Sequence, residues 1–288
     1  MELLDLWSSY QTEKALVLSP TTIEHDYRQV SNWLSRCPHQ ALTEARLAMC
    51  WLLQQQPEKA AKRVASYLKS ALAWAAKEDV GLLSRNPVAS FALPKNHQQE
   101  EPRVIPIQVV PAILKALKAT SFECSSRGAR WDLVAQFHLQ TGLRPAEGFG
   151  LTWEDVDFEG KRVRICRNMT LTHGIRNRTK TGRQRWVPLN EPAMQVLHNL
   201  QELHSEPVLF PWSRTSYMTS FRRVMQRLYE RGIIAARYRP YDLRHTQISV
   251  ALEAGVPVTQ VARWAGNSPE MCFKHYCGVV GDYQLPAI

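Results

Sequence analysis

From Leu93 to Pro106 the chain reads Leu-Pro-Lys-Asn-His-Gln-Gln-Glu-Glu-Pro-Arg-Val-Ile-Pro, a polar stretch with no apolar period. Proline lacks the N–H that the interior of a helix or sheet uses, so neither element runs through such a segment. The sequence therefore predicts two folded units, 1–92 and 108–288, joined by a linker at 93–107. A length of 288 residues suffices for two medium domains, each with its own core.

Before the break the apolar spacing is helical. Ser19-Pro20 opens one helix, with serine as the cap and proline in the first turn. Ile23, Tyr27, Val30 and Leu34 follow at helical spacing. Thr43 caps a second helix, whose Leu47, Cys50 and Trp51 are expected to face inward. A third runs from about Pro57 to Ala76, with Ala60, Val64, Tyr67, Leu68, Ala71 and Ala75 on one face. Its other faces carry Lys59, Lys62, Arg63 and Lys69, which form either a solvated face or a surface laid along a polyanion.

After the break, helices are expected at 108–119 and 128–141. Val163–Cys166 and Arg185–Leu189 then read as strands flanking a basic loop, and Glu159-Gly160-Lys161 as a tight turn. Helices return at about 192–203, 216–231, 243–254, 258–265 and 269–276. The fold class is mainly α with a small antiparallel β-sheet.

Charge narrows the choice of partner. The chain carries a net +10, and it is lopsided: residues 1–107 hold 12 Lys and Arg against 11 Asp and Glu, residues 108–288 hold 24 against 15. A basic second half suits a polyanionic partner. The six cysteines are scattered at 37, 50, 124, 166, 272 and 277, without a Cys-x-x-Cys pair, and read as reduced thiols. No run of 18 apolar residues occurs, and the acidic N-terminus does not look like a signal peptide. A cytoplasmic, nucleoid-associated protein is expected.

Four short blocks carry the chemistry. Arg144 lies in Thr-Gly-Leu-Arg-Pro-Ala-Glu, Lys180 in Thr-Lys-Thr-Gly, Arg244 in Asp-Leu-Arg-His-Thr, and Tyr276 stands ten residues after Gly266 in Gly-Asn-Ser-Pro. A phosphodiester resists attack because it is an anion, so an enzyme must neutralise the charge that builds on its non-bridging oxygens. Guanidinium groups are permanently charged and grip two oxygens at once. Gly142 can end a helix in a left-handed turn that throws Arg144 into the site; the plainer reading is a surface ion pair with Glu147. Lys180 sits at a loop tip between strands, where lysines are also commonly just solvated. Tyr276, with a phenol reference pKa of about 10, needs nearby cations to become a nucleophile. Arg176, Arg178, Arg183 and Arg185 read as contacts to backbone phosphates.

In order and spacing these blocks resemble the tyrosine recombinase (phage integrase) family along nearly the whole chain. The resemblance implies a helical core-binding domain followed by a mixed α+β catalytic domain, the two clamping duplex DNA. It implies that Arg144 and Arg244 hold the scissile phosphate and that Lys180 protonates the departing 5′-oxygen. Tyr276 forms a 3′-phosphotyrosine. Four protomers would act on two double-stranded attachment sites through a Holliday junction, with no cofactor or metal and with room for an accessory DNA-bending protein. Two positions depart from the family pattern. Tyr241 stands where a histidine is usual, three residues before Arg244, and Asn267 where a histidine or tryptophan is usual. Tyr241 could bond the phosphate and Asn267 could donate its amide hydrogen to it. His275 lies nearby, and His245 is expected to point into the fold. The tail from Cys277 to Ile288 would dock on a neighbour or pack on its own protomer. These departures keep open a catalytically weakened, sequence-specific DNA-binding protein; a type IB topoisomerase shares the chemistry but fits the helical first unit less well.

Overall fold

The computed structural model describes residues 1–94, 102–120, 128–170, 174–176 and 182–276. Contacts divide the chain into Met1–Gln99 and Glu100–Ile288. The secondary structure is mainly helical with small antiparallel sheets, as the pattern predicts.

In the first unit α1 spans Leu3–Ala15, a wide helical turn at Thr22–Tyr27 leads into α2 at Arg28–Leu34, and α3 (Ala45–Gln54) and α4 (Glu58–Ala75) follow. Ser19 caps as expected, its Oγ accepting from the Thr22 N–H at 3.2 Å. The helix α1 was not anticipated, although Leu3, Leu6, Trp7 and Tyr10 share one buried face. Trp7, Tyr10 and Tyr27 form its aromatic centre, and Trp7 Nε1 donates to Ser31 Oγ at 2.9 Å.

The phase of α3 differs from expectation. Ala45, Ala48, Met49 and Leu52 are buried, while Leu47 is 51% exposed, Cys50 is exposed and Trp51 half-buried. Leu42–Glu44 forms a tighter 3₁₀ turn, so the α-helix starts at Ala45 rather than beside Thr43. Small alanines then face α4, whose own buried stripe (Ala61, Val64, Ala65, Leu68, Ala71, Leu72 and Ala75) is also alanine-rich. Two such faces approach closely and leave little void.

The second unit opens with α5 (Val110–Thr120), α6 (Trp131–Thr141) and the short α7 (Pro145–Gly148). Five strands follow: β1 (Val156–Asp157), β2 (Arg162–Ile165), β3 (Asn168–Thr170), β4 (Gly174–Arg176) and β5 (Arg185–Pro188). The order β1-β2-β5 makes one antiparallel sheet, with Val163 opposite Val187, and β3-β4 makes a separate ribbon absent from the sequence reading. Helices α8 (Glu191–Leu203), α9 (Arg214–Glu230), α10 (Pro240–Glu253), α11 (Val258–Ala265) and α12 (Pro269–Tyr276) complete it. Among the described residues no helix is long and apolar enough to cross a membrane.

The helix α6 is the axle of this unit. Trp131, Leu133, Val134 and Phe137 are buried against Phe149, Phe210 and Tyr217. A smaller apolar cluster of Ile248, Leu252, Val261, Ala265, Cys272 and Tyr276 holds α10, α11 and α12 together. Packing is tight between α7 and α6: a Cβ added at Gly148 would lie 2.4 Å from His138 Nε2. His138 cannot yield, because it is fully buried and its Nδ1 bonds the Val134 carbonyl at 2.7 Å. Gly148→Ala is therefore expected to cost about 1–3 kcal/mol through overpacking. Urea unfolding of the variant checks this, and an unchanged midpoint refutes it.

Candidate active site

The helix α6 ends at Gly142, whose φ of +63° closes it in a left-handed turn that glycine adopts without strain. The turn buries Leu143 and places Arg144 at the cap of α7. Arg144 N–H donates to Glu147 Oε2 at 3.1 Å and its Nη1 to Glu147 Oε1 at 2.9 Å. The Gly142 carbonyl accepts from Arg244 Nη1 at 2.8 Å, so one turn fixes both arginines. The helix that carries Arg244, expected from 243, begins earlier. The helix α10 starts at Pro240, and Arg244 lies in its second turn, 1% exposed.

Both arginines converge on Asn267. Arg144 Nη2 and Arg244 Nη2 donate to Asn267 Oδ1 at 2.9 and 3.0 Å. A guanidinium only donates, so the atom facing it is the carboxamide oxygen. Asn267 thus offers its oxygen to both arginines, and its amide hydrogens are turned away from them. Gly266 ends α11 at φ +65°, and its carbonyl takes a further bond from Arg144 Nη2 at 2.9 Å.

Arg185 also departs from expectation: it is turned inward rather than toward a DNA backbone. From β5 its Nη1 and Nη2 grip the Glu147 carboxylate at 3.1 and 2.7 Å, and its Nε donates to the Trp264 carbonyl at 2.7 Å. Glu147 is 2% exposed and needs that partner, because a buried carboxylate without countercharge is costly. Burial pushes the Glu147 carboxyl up, but the Arg185 hydrogen bonds and the charges of Arg185, Arg144 and Arg244 outweigh it and hold it below the usual carboxylate range.

Tyr276 ends α12 and is 2% exposed. Its hydroxyl meets Nδ1 of His245, one helical turn beyond Tyr241 on α10. His245 therefore points at the tyrosine rather than into the core, and only the tertiary approach of α12 reveals it. Tyr241 is 39% exposed, packs edge-on against His245 with centroids 5.1 Å apart, and lies over Arg244. Burial pushes the Tyr276 phenol well above its ordinary value, with Arg244 pulling partly back. Burial, then the charges of Arg244 and Arg239, lower His245 to about 4.

The other candidates are more dispersed. Lys180 and Arg178 lie outside the described residues. Arg176 ends β4, half-buried, and Arg183 is exposed. On α4, Lys59 is exposed and Lys62 half-buried; Arg63 pairs with Asp26 at 3.3 Å and Gln29 at 2.7 Å, and Lys69 donates to the Phe91 carbonyl. Among the described residues no cluster of three His, Cys, Asp or Glu could hold a metal ion.

Residues 103–279 match the phage integrase family. The chain is similar to the tyrosine recombinase XerC of Anoxybacillus flavithermus, 25% identical over 254 residues that span 84% of this chain and 78% of that protein. Its fold is that of the Tn1549 transposon integrase solved with a circular intermediate DNA, with TM-score 0.78, 17% identity and coverage of 96% of this chain and 95% of the other. It is also that of a lambda integrase tetramer bound to a Holliday junction, with TM-score 0.70, 15% identity and coverage of 93% and 78%.

The buried carboxylate among three arginines yields a stability test. Glu147→Gln keeps the shape and removes the charge, and breaking a buried pair of this kind costs about 3–5 kcal/mol. Because the folded carboxyl titrates below its unfolded value of roughly 4.3, its contribution is complete above that pH and is lost as pH falls through the folded value. Urea midpoints should therefore differ widely at neutral pH and converge in acid. A gap that persists unchanged in acid refutes the assignment.

Proposed function

We propose a chemistry for this chain from one premise: it belongs to the phage integrase family. It is a tyrosine-type site-specific DNA recombinase, which cuts and rejoins DNA strands. The observation that carries the mechanism is the meeting of Arg144 and Arg244 at one acceptor, Asn267 Oδ1, close to Tyr276. Two fixed cations aimed at one oxygen are what a phosphodiester needs as charge develops on it. A non-bridging oxygen of the scissile phosphate takes the place that Asn267 Oδ1 holds.

The Tyr276 oxygen then bonds to phosphorus and the bond from phosphorus to the 5′-oxygen breaks. The products are a 3′-phosphotyrosine and a 5′-hydroxyl, with Lys180 supplying the proton for the leaving oxygen. A 5′-hydroxyl from a partner strand attacks the phosphotyrosine and releases Tyr276. Each step exchanges one phosphodiester for another, so ligation needs no separate energy source. Lys59, Lys62, Arg63, Lys69, Arg176, Arg178 and Arg183 would meet backbone phosphates and set position rather than sequence preference. The lambda integrase tetramer on a Holliday junction supports the same assembly here, four copies on two double-stranded sites.

A nicked duplex carrying the DNA beside the gene, resolved on a denaturing gel, tests this reading. The unmodified protein should form a covalent adduct and Tyr276→Phe none. Lys180→Ala should slow adduct formation by about 10²–10⁴-fold, the usual contribution of a general acid. Tight, specific binding without an adduct would instead mark a DNA-binding protein that has lost strand transfer.

A further inference from the structure

Strand cleavage by Tyr276 requires that its hydroxyl lose a proton, and some group must receive it. Among the described residues the candidates are few. From α10, Tyr241, Arg244 and His245 face the Tyr276 ring or its hydroxyl, and from α12 Cys272 and His275 lie beside it. Arg244 is a permanent donor with no lone pair to offer. Tyr241 is itself a phenol, no better a base than the group it would deprotonate. Cys272 is fully buried and its thiol is pushed up by that burial, so it stays protonated. His275 precedes Tyr276 in the chain, and the two rings are 6.4 Å apart at their centroids. Among the described residues only His245 touches the hydroxyl, through Nδ1.

We propose that His245 is the general base of the cleavage step: its Nδ1 takes the Tyr276 hydroxyl proton as the phenolic oxygen bonds to phosphorus. The inference rests on Tyr276 being the nucleophile. The O–H bond of Tyr276 breaks and an N–H bond forms on His245, while the bond to the 5′-oxygen breaks and that oxygen takes its proton from the acid. In ligation the steps reverse, and the imidazolium returns the proton to the departing phenolic oxygen. Nδ1 is free to accept because the ring is neutral: Arg244, Arg239 and His275 all bear on it and, with burial, disfavour its charged form. Tyr241 closes the other side of the ring, at 5.1 Å between centroids, and holds it toward Tyr276.

Single-turnover cleavage of the nicked duplex tests the assignment. His245→Gln keeps a polar side chain but cannot accept the proton, and is expected to slow adduct formation by about 10²–10⁴-fold while DNA binding by gel shift is kept. Replacing Tyr276 with 3,5-difluorotyrosine, a more acidic phenol, should recover much of that loss in the variant and change the unmodified enzyme little. A merely structural histidine would not respond to the acidity of the nucleophile. A variant that cleaves within twofold of the unmodified enzyme, or a loss that the fluorinated tyrosine leaves in place, overturns the proposal. If the variant does not fold, the pH profile of the unmodified enzyme decides. A built-in base that is already neutral gives a flat rate from about pH 6 to 9, whereas a tenfold rise per pH unit would mean that hydroxide removes the proton. Absence of any tyrosine adduct in the unmodified protein would instead remove the underlying reading.

Discussion

The three arginines gathered in the second unit lean on one carboxylate. Glu147 is buried beneath Arg144 and Arg185, with Arg244 close enough to act on its charge. Three guanidinium groups crowded together would repel one another, and burial would disfavour each further. One carboxylate relieves that repulsion without cancelling it, because three positive charges against one negative leave a surplus. The surplus faces Asn267, and a site that carries excess positive charge before any ligand arrives is suited to an anion. Arg144 thus has two tasks: it pairs with Glu147, the plain reading of its spacing, and it also aims its second nitrogen at the acceptor shared with Arg244.

Backbone geometry makes this crowding accurate. Gly142 and Gly266 both take left-handed φ, the first to cap α6 and the second to cap α11. Each turn exposes a carbonyl to an arginine, Gly142 to Arg244 and Gly266 to Arg144. A side chain at Gly266 would also meet the Arg185 guanidinium at 2.9 Å. The arginines are therefore held by main chain as well as by charge, and the order of the α6 core and of the α10–α12 cluster reaches the site through one short turn each. Preorganisation of this kind lets donors act without rearranging as charge develops.

What the sequence revealed follows from range. The four blocks, the helical pattern and the Gly142 turn are local, and were legible because spacing within a few residues determines them. Arg185 was misplaced because its partner lies 38 residues away and only the sheet brings them together. In isolation an arginine near a basic loop looks like a phosphate ligand, and nothing in its neighbours announces a buried carboxylate. His245 was misdirected for the same reason, since 31 residues separate it from Tyr276. The phase of α3 failed on a smaller scale: a start shifted to Ala45 rotates every side chain by about 100° per residue and trades Leu47 for Ala48. Helix α1 was visible as Leu3, Leu6, Trp7 and Tyr10, a helical stripe in a segment read only for its unlikeness to a signal peptide.

In the proposed mechanism, the pairing of Tyr276 with a neutral histidine also explains how the nucleophile stays idle. Burial raises the phenol and lowers the imidazole, so both partners favour their uncharged forms in the protein alone. Moving the proton between them without a phosphate would create a phenolate and an imidazolium in a poorly solvated place, which burial opposes. In the proposed cleavage, the phenolic oxygen's negative charge passes on bonding to phosphorus to the non-bridging oxygens assigned to Arg144 and Arg244. Only the imidazolium then remains to be accommodated, beside a phosphate that is now its counter-ion. The same burial that makes Tyr276 a weak acid at rest thereby ties its ionisation to the arrival of a phosphodiester. The positive surplus left by Glu147 is what makes that arrival favourable.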